Sequence, residues 1–128
     1  VNGGKQIRPN LTMYDMIGAY KFSLKRKFKK NREINNTIFN LGFENLSIIN
    51  MANRIRKTLG LKSRIIIKAS NDPRSYRQNS DRIIQEGFSP QRKIEDSILE
   101  IKEHFIKKKI KKNKSYFRIN TLKMIKAK

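Results

Sequence analysis

Arg74, Tyr76 and Arg77 crowd together just behind the dipeptide Asp72-Pro73 in a chain of 128 residues. Pro73 fixes its own φ and drives Asp72 out of the helical region, so the chain must turn sharply there. A rigid turn that presents two guanidinium groups can hold a phosphate or a carboxylate. The planar fork of N–H donors on each arginine matches paired anionic oxygens. Two arginines in an exposed loop are equally an ordinary surface feature, and residue types alone leave both readings open.

Other chemistries find little material here. The chain has no cysteine, which removes a disulfide framework, a thiolate nucleophile and a Cys-ligated zinc site. The single histidine, His104, stands between Glu103 and Phe105 with no second histidine or paired carboxylate close in sequence, so packing or exposure is its expected role. No serine is set in a triad pattern. No Gly-x-Gly-x-x-Gly follows a strand pattern, and Gly3-Gly4 does not qualify as a dinucleotide fingerprint. On its own this chain is not expected to catalyse a reaction.

The elements that must position the turn are read from periodicity. Ile65–Ile67 is a β-branched run typical of a short buried strand, entering the turn from its N-terminal side. Ser80 and Asp81 are capping residues for a short helix ended by Gly87, with Pro90 blocking continuation. Upstream, Arg8–Tyr14 reads as extended. Asp15 is then expected to cap a helix whose core stripe is Met16, Ala19, Tyr20, Leu24 and Phe28, with Lys21, Lys25, Lys27, Lys29 and Lys30 outward. Thr37–Leu41 has strand composition. Ser47 caps a helix with apolar positions Ile48, Met51, Ala52, Ile55 and Leu59, closed by Gly60. Glu95 to about Lys109 forms a further helix with Ile94, Ile98, Ile101 and Phe105 on one stripe, widened by Leu99 and Ile106. The expected architecture is a small mixed α/β domain of three to four helices. Short strands are expected near 10–14, 37–41, 64–68 and 75–78. The strand-helix-strand order around the Ser47 helix predicts at least one parallel pair.

Bulk properties set the frame. The length suits one domain over 1–128. No apolar run approaches the length needed to cross a bilayer, no signal peptide is visible, and a cytoplasmic location is expected. The sequence starts at Val1 in what reads as mid-domain sequence, so a fragment is expected. The formal net charge is +21, which invites a nucleic-acid reading. The lysines are spread along the chain, however, and Lys, Ile and Asn are over-used together as in AT-rich coding. No zinc finger, RNP1 pattern or GXXG loop is present. The KKKIKKNK run at 107–114 reads as a solvated helix end.

Four stretches, taken in order, resemble the C-terminal region of extended short-chain dehydrogenases/reductases, the nucleotide-sugar epimerase and dehydratase family. RPNLTMYDMIGAY (8–20) is similar to the family's RxxxHVxDxxxA segment, and FNLGFENLSIINMANRI (39–55) to its segment of N-x-G followed by Ser and a helix. NDPRSYRQNSDRI with GFSPQRKIEDSI carries the likeness through the turn, and YFRINTLKM (116–124) looks like a tail seen in some members. The resemblance implies the substrate-binding lobe of such an enzyme, with the catalytic Tyr-x-x-x-Lys and NAD or NADP on an N-terminal Rossmann domain absent from this chain. It also implies a nucleotide diphosphate sugar as ligand. Arg8 occupies the place of the arginine that contacts the diphosphate, and Asp72, Arg74, Tyr76 and Arg77 are the further candidates. Two departures stand out: Thr12 replaces the family's usual His, and Ala69, Ser70, Asn71 and Asp72 stand where many epimerases carry Arg-Pro-Gly-Asp. The resemblance further implies an apolar face for the Rossmann partner, through which an isolated lobe would self-associate. A basic nucleic-acid-binding module and a non-catalytic interaction domain are the alternatives from other classes.

Overall fold

The first ten residues run through the middle of the domain, bonded on both sides. The computed structural model describes residues 1–25 and 38–110. On one side, β1 (Ile7–Asn10) pairs antiparallel with β2 (Glu44–Ser47), Ile7 facing Ser47 and Asn10 facing Glu44. The pairing extends past the strands, since Ile48 N–H donates to Gln6 O and Ile49 N–H to Gly4 O, each at 3.0 Å. On the other side, Gly3 N–H reaches Lys68 O and Lys68 N–H reaches Val1 O, both at 2.8 Å. This forms a single parallel bridge between Asn2 and Lys68. Further along, Tyr76 N–H donates to Ile7 O at 2.9 Å.

Four helices, α1 (Met13–Lys25), α2 (Ile48–Thr58), α3 (Asp81–Gln85) and α4 (Ile94–Ile106), complete the described residues. The chain is therefore a small mixed α/β domain, as its sequence predicts, but the sheet differs from expectation. Residues 10–14 are not a strand: β1 ends at Asn10 and α1 has begun by Met13. Residues 38–41 carry no regular structure and the strand lies later, at 44–47; Thr37 is outside the described residues. The predicted strand at 64–68 is reduced to the bridge at Lys68, and 75–78 is not a strand. The expected parallel pair flanking α2 is not formed: β2 before the helix pairs antiparallel with β1, and the segment after it makes its parallel bridge with Asn2. Pro9 supplies the physical reason at 75–78. Alternation turns the Pro9 nitrogen to the same side as Ile7, and proline has no N–H to continue a ladder there.

Helix ends follow local chemistry. Ser47 caps α2 through a bond from Asn50 N–H at 3.2 Å, and Gly60 beyond it takes φ 65°, the left-handed geometry a C′ glycine allows. Asp15 does not cap α1. Thr12 does, accepting Asp15 N–H at 3.1 Å and donating its hydroxyl to the Asp15 carboxylate at 2.8 Å. Ser80 precedes α3 without a side-chain cap; its hydroxyl instead accepts Gly42 N–H at 2.9 Å.

The core is small. Ala19, Ile83 and Phe88 are buried together, with Phe22, Phe39, Leu41 and Phe43 packed around them. Phe88 is the hub, edge-on to Phe22 at 5.6 Å and stacked with Phe43 at 5.7 Å. The predicted α1 stripe is corrected here: Tyr20 and Leu24 are exposed, Leu24 at 86%, and the buried side holds Asp15 and Ala19. On α4 only Ile98 is buried, while Ile101 and Phe105 are exposed. Phe28, Lys27, Lys29, Lys30, the end of the 107–114 run and the 116–124 tail lie outside the described residues.

Candidate functional site

The turn after Lys68 is built from short side chains bonding to backbone. Ser70 Oγ accepts Asp72 N–H at 3.2 Å, and Gln6 Nε2 donates to Asp72 O at 3.3 Å. Ser75 Oγ accepts Ile7 N–H at 2.9 Å, standing in for a backbone carbonyl beside β1. These contacts, with the Tyr76 bond to Ile7, hold the 70–76 segment along the edge of β1 and bring it to Arg8.

Arg8 and Arg74, 66 positions apart in sequence, meet at this edge. Arg8 Nη1 donates to Arg74 O at 2.7 Å and to its neighbour's carbonyl, Ile7 O, at 2.9 Å. The Arg8 guanidinium lies over the Tyr76 ring, 5.0 Å from its centroid, a cation–π geometry. Asp72 stands between the two cations. Its carboxylate takes a fork from Arg74, with Nε at 2.6 Å and Nη2 at 2.9 Å, and also accepts Arg74 N–H at 3.1 Å. Arg8 Nη2 lies 3.6 Å from Asp72 Oδ2, an ion pair too long for a hydrogen bond. Two cations and one anion leave a net positive charge at the cluster.

The electrostatics follow from that geometry. Hydrogen bonds from the Arg74 side chain and backbone pull the Asp72 carboxyl down to about 2 from an ordinary 3.8. The same carboxylate raises the Arg74 guanidinium. Arg74 is open to solvent, 67% exposed at its side chain, whereas Arg8 and Asp72 are about half as exposed, 32% and 30%.

Four of the five sequence candidates, Arg8, Asp72, Arg74 and Tyr76, are thus brought together. Arg77 is not. It lines a separate depression of about 530 Å³ with Asn45 and Ser80, where the Asn45 side chain brackets Gln78 by bonds of 2.9 and 3.0 Å to its N–H and carbonyl. Gln6 and Ser75 are supports that sequence reading missed; a serine inside a turn was the only signal for either. A groove of about 470 Å³ opens beside Asp72 and adds Lys5 and Lys68 to the neighbourhood.

A larger cleft of about 1000 Å³ lies between β2, α2 and the start of α4. Its carboxylates are already engaged. Glu44 bonds Arg54 and accepts Ile94 N–H at 3.0 Å, and Arg54 also reaches Glu95 at 3.3 Å. This network, also missed from sequence, joins β2, α2 and α4. It reads as structural.

Among the described residues no group of three or more His, Cys, Asp or Glu is placed to hold a metal ion, and no helix is long and apolar enough to cross a membrane. Comparisons with protein-family models, with curated proteins and with solved structures return no match to this chain.

Proposed function

We propose that this chain is the nucleotide-sugar-binding lobe of an NAD(P)-dependent epimerase or dehydratase, and that Arg8 and Arg74 grip the ligand's diphosphate. The observation that supports the reading is the Arg8–Arg74 junction: two guanidinium groups from distant segments that share the Asp72 carboxylate at one edge of β1. Charge-assisted donors converging on closely spaced anionic oxygens are the elements a diphosphate site requires. Tyr76 backs the Arg8 guanidinium and limits its freedom, so little ordering remains to be done on binding.

In this reading NAD or NADP belongs to a Rossmann domain outside this chain. Docking of that domain would cover apolar surface, and α1 offers some: Met13, Ile17, Tyr20 and Leu24, at helical spacing, are all exposed.

The test is affinity for nucleoside diphosphate sugars in the wild type and in Arg8→Ala. Hydrogen bonds to charged groups contribute about 1.5–3 kcal/mol each, so Arg8→Ala is expected to weaken binding by roughly 10- to 150-fold. Arg8→Lys, which keeps the charge but loses the fork, should fall between. Equal affinity in all three proteins would refute the reading. A nucleic-acid module would instead bind oligonucleotides with an affinity that falls steeply with salt.

A further inference from the structure

Asp72 occupies the edge of Arg74 that a phosphate would take. The Nε–Nη2 fork is the face with which arginine receives paired oxygens, and here both donors are on Asp72, at 2.6 and 2.9 Å. The fork's owner is only two positions away in sequence, so the contact is intramolecular and its effective concentration is high. Yet the contact is exposed on the Arg74 side, at 67%, and exposed ion pairs are individually weak.

The carboxylate helps to shape the turn by accepting Arg74 N–H at 3.1 Å, but it is not the turn's only support. The Asp72 backbone is held by Ser70 Oγ on its N–H and by Gln6 Nε2 on its carbonyl. Arg74 O is held by Arg8 Nη1 at 2.7 Å. Turning the Asp72 side chain away from Arg74 gives up the Arg74 N–H bond as well as the fork, while the bonds from Ser70, Gln6 and Arg8 still hold the backbone.

From these contacts we infer that Asp72 is a built-in counter-anion that sets the affinity threshold of the arginine pair, closing the Arg74 fork until a ligand that also reaches Arg8 displaces it. This rests on the diphosphate reading of the site. A singly charged carboxylate ligand meets an equal competitor that is already tethered in place, so it gains nothing by exchange. A diphosphate carries more charge, reaches both Arg8 and Arg74, and wins. Asp72 thus acts as a competitor that lowers affinity for every anion, so that only a ligand able to reach both Arg8 and Arg74 keeps measurable binding.

The experiment is calorimetric titration of the full chain with pyrophosphate and with acetate, in the wild type, Asp72→Asn and Arg8→Ala. Asp72→Asn is expected to bind pyrophosphate about 3- to 10-fold more tightly, as loss of one exposed competing pair allows, and to gain measurable acetate binding. Equal or weaker pyrophosphate binding by Asp72→Asn, with Arg8→Ala still impaired, overturns the counter-anion role and leaves the diphosphate site standing. Wild-type binding that Arg8→Ala does not change overturns the site itself. No pyrophosphate binding by either the wild type or Asp72→Asn overturns both. Should Asp72→Asn fail to fold, the Arg74 Nε–H resonance of the wild type answers the same question. It is expected to shift on saturation with pyrophosphate as the fork changes partner, and an unmoved resonance in the saturated protein overturns the inference.

Discussion

Replacing Asp15 with alanine is expected to be among the more damaging single changes in this chain, although Asp15 touches no ligand in any reading of the site. Its side chain is buried, at 2% exposure, and receives donors from three residues. Thr12 hydroxyl lies at 2.8 Å, Gln91 N–H at 2.7 Å and Arg92 N–H at 3.2 Å. In Asp15→Ala the Thr12 hydroxyl can rotate to a new partner, but the two backbone N–H groups have none. A buried donor left without an acceptor costs about 1–3 kcal/mol. Gln91 and Arg92 are both exposed and both bonds only partly buried, so water can substitute in part, more readily at the longer Arg92 bond. The expected loss is therefore about 2–4 kcal/mol, a large fraction of the roughly 5–15 kcal/mol that holds a typical domain together. Asp15→Asn retains one acceptor oxygen but turns an amide N–H₂ toward a donor, and about 1–3 kcal/mol is expected. Thr12→Ala, which removes only the cap, should lose about 1 kcal/mol. Urea denaturation followed by circular dichroism, with linear extrapolation, measures all three. A loss below about 0.5 kcal/mol in Asp15→Ala, the level of an ordinary surface change, would refute the claim that this carboxylate joins α1 to the loop before α4.

Two other expectations concern pH and association. The Asp72 carboxyl is held at about 2, below its ordinary 3.8, by Arg74. A depressed folded-state value means the stabilisation is complete above about 3.8 and is lost as pH falls through about 2. A carboxyl NMR titration should place the Asp72 midpoint well below that of an exposed aspartate, and a midpoint near 3.8 would contradict the fork geometry. Separately, the exposed α1 stripe should drive self-association of the isolated chain. Ile17→Ser with Leu24→Ser should shift sedimentation toward monomer, and an unchanged distribution would exclude α1 as the contact.

What the sequence disclosed, and what it withheld, divides along physical lines. Some helix ends governed by one residue were legible: Ser47 caps α2, and Gly60 and Gly87 take positive φ, whereas Asp15 and Ser80, the other expected caps, bond elsewhere. The strands were not, because a β-branched run records a preference for extended backbone and not the presence of a partner. Ile66 and Ile67 are exposed, at 70% and 59%, and among the described residues the backbone of 66–68 hydrogen-bonds to Val1 and Gly3. The α1 stripe failed for a related reason. Apolar residues fall on more than one side of that helix, and periodicity does not say which side is covered. The core takes the side with Ala19, where small residues admit Phe88, together with a buried aspartate whose partners lie 76 and 77 positions away. The meeting of Arg8 with Arg74 came from family resemblance and not from spacing. Ser75 and Gln6, which make that meeting possible, bond to backbone, and backbone partners leave no sequence signature.

The most direct test of the account is the structure of the full chain with a nucleoside diphosphate sugar bound. The expected result is diphosphate oxygens within hydrogen-bonding distance, about 2.7–3.2 Å, of both the Arg8 and Arg74 guanidinium groups, with the Asp72 carboxylate turned off the Arg74 fork. A ligand seated instead in the cleft lined by Arg54 and Arg92, with the Asp72–Arg74 fork intact, would contradict it.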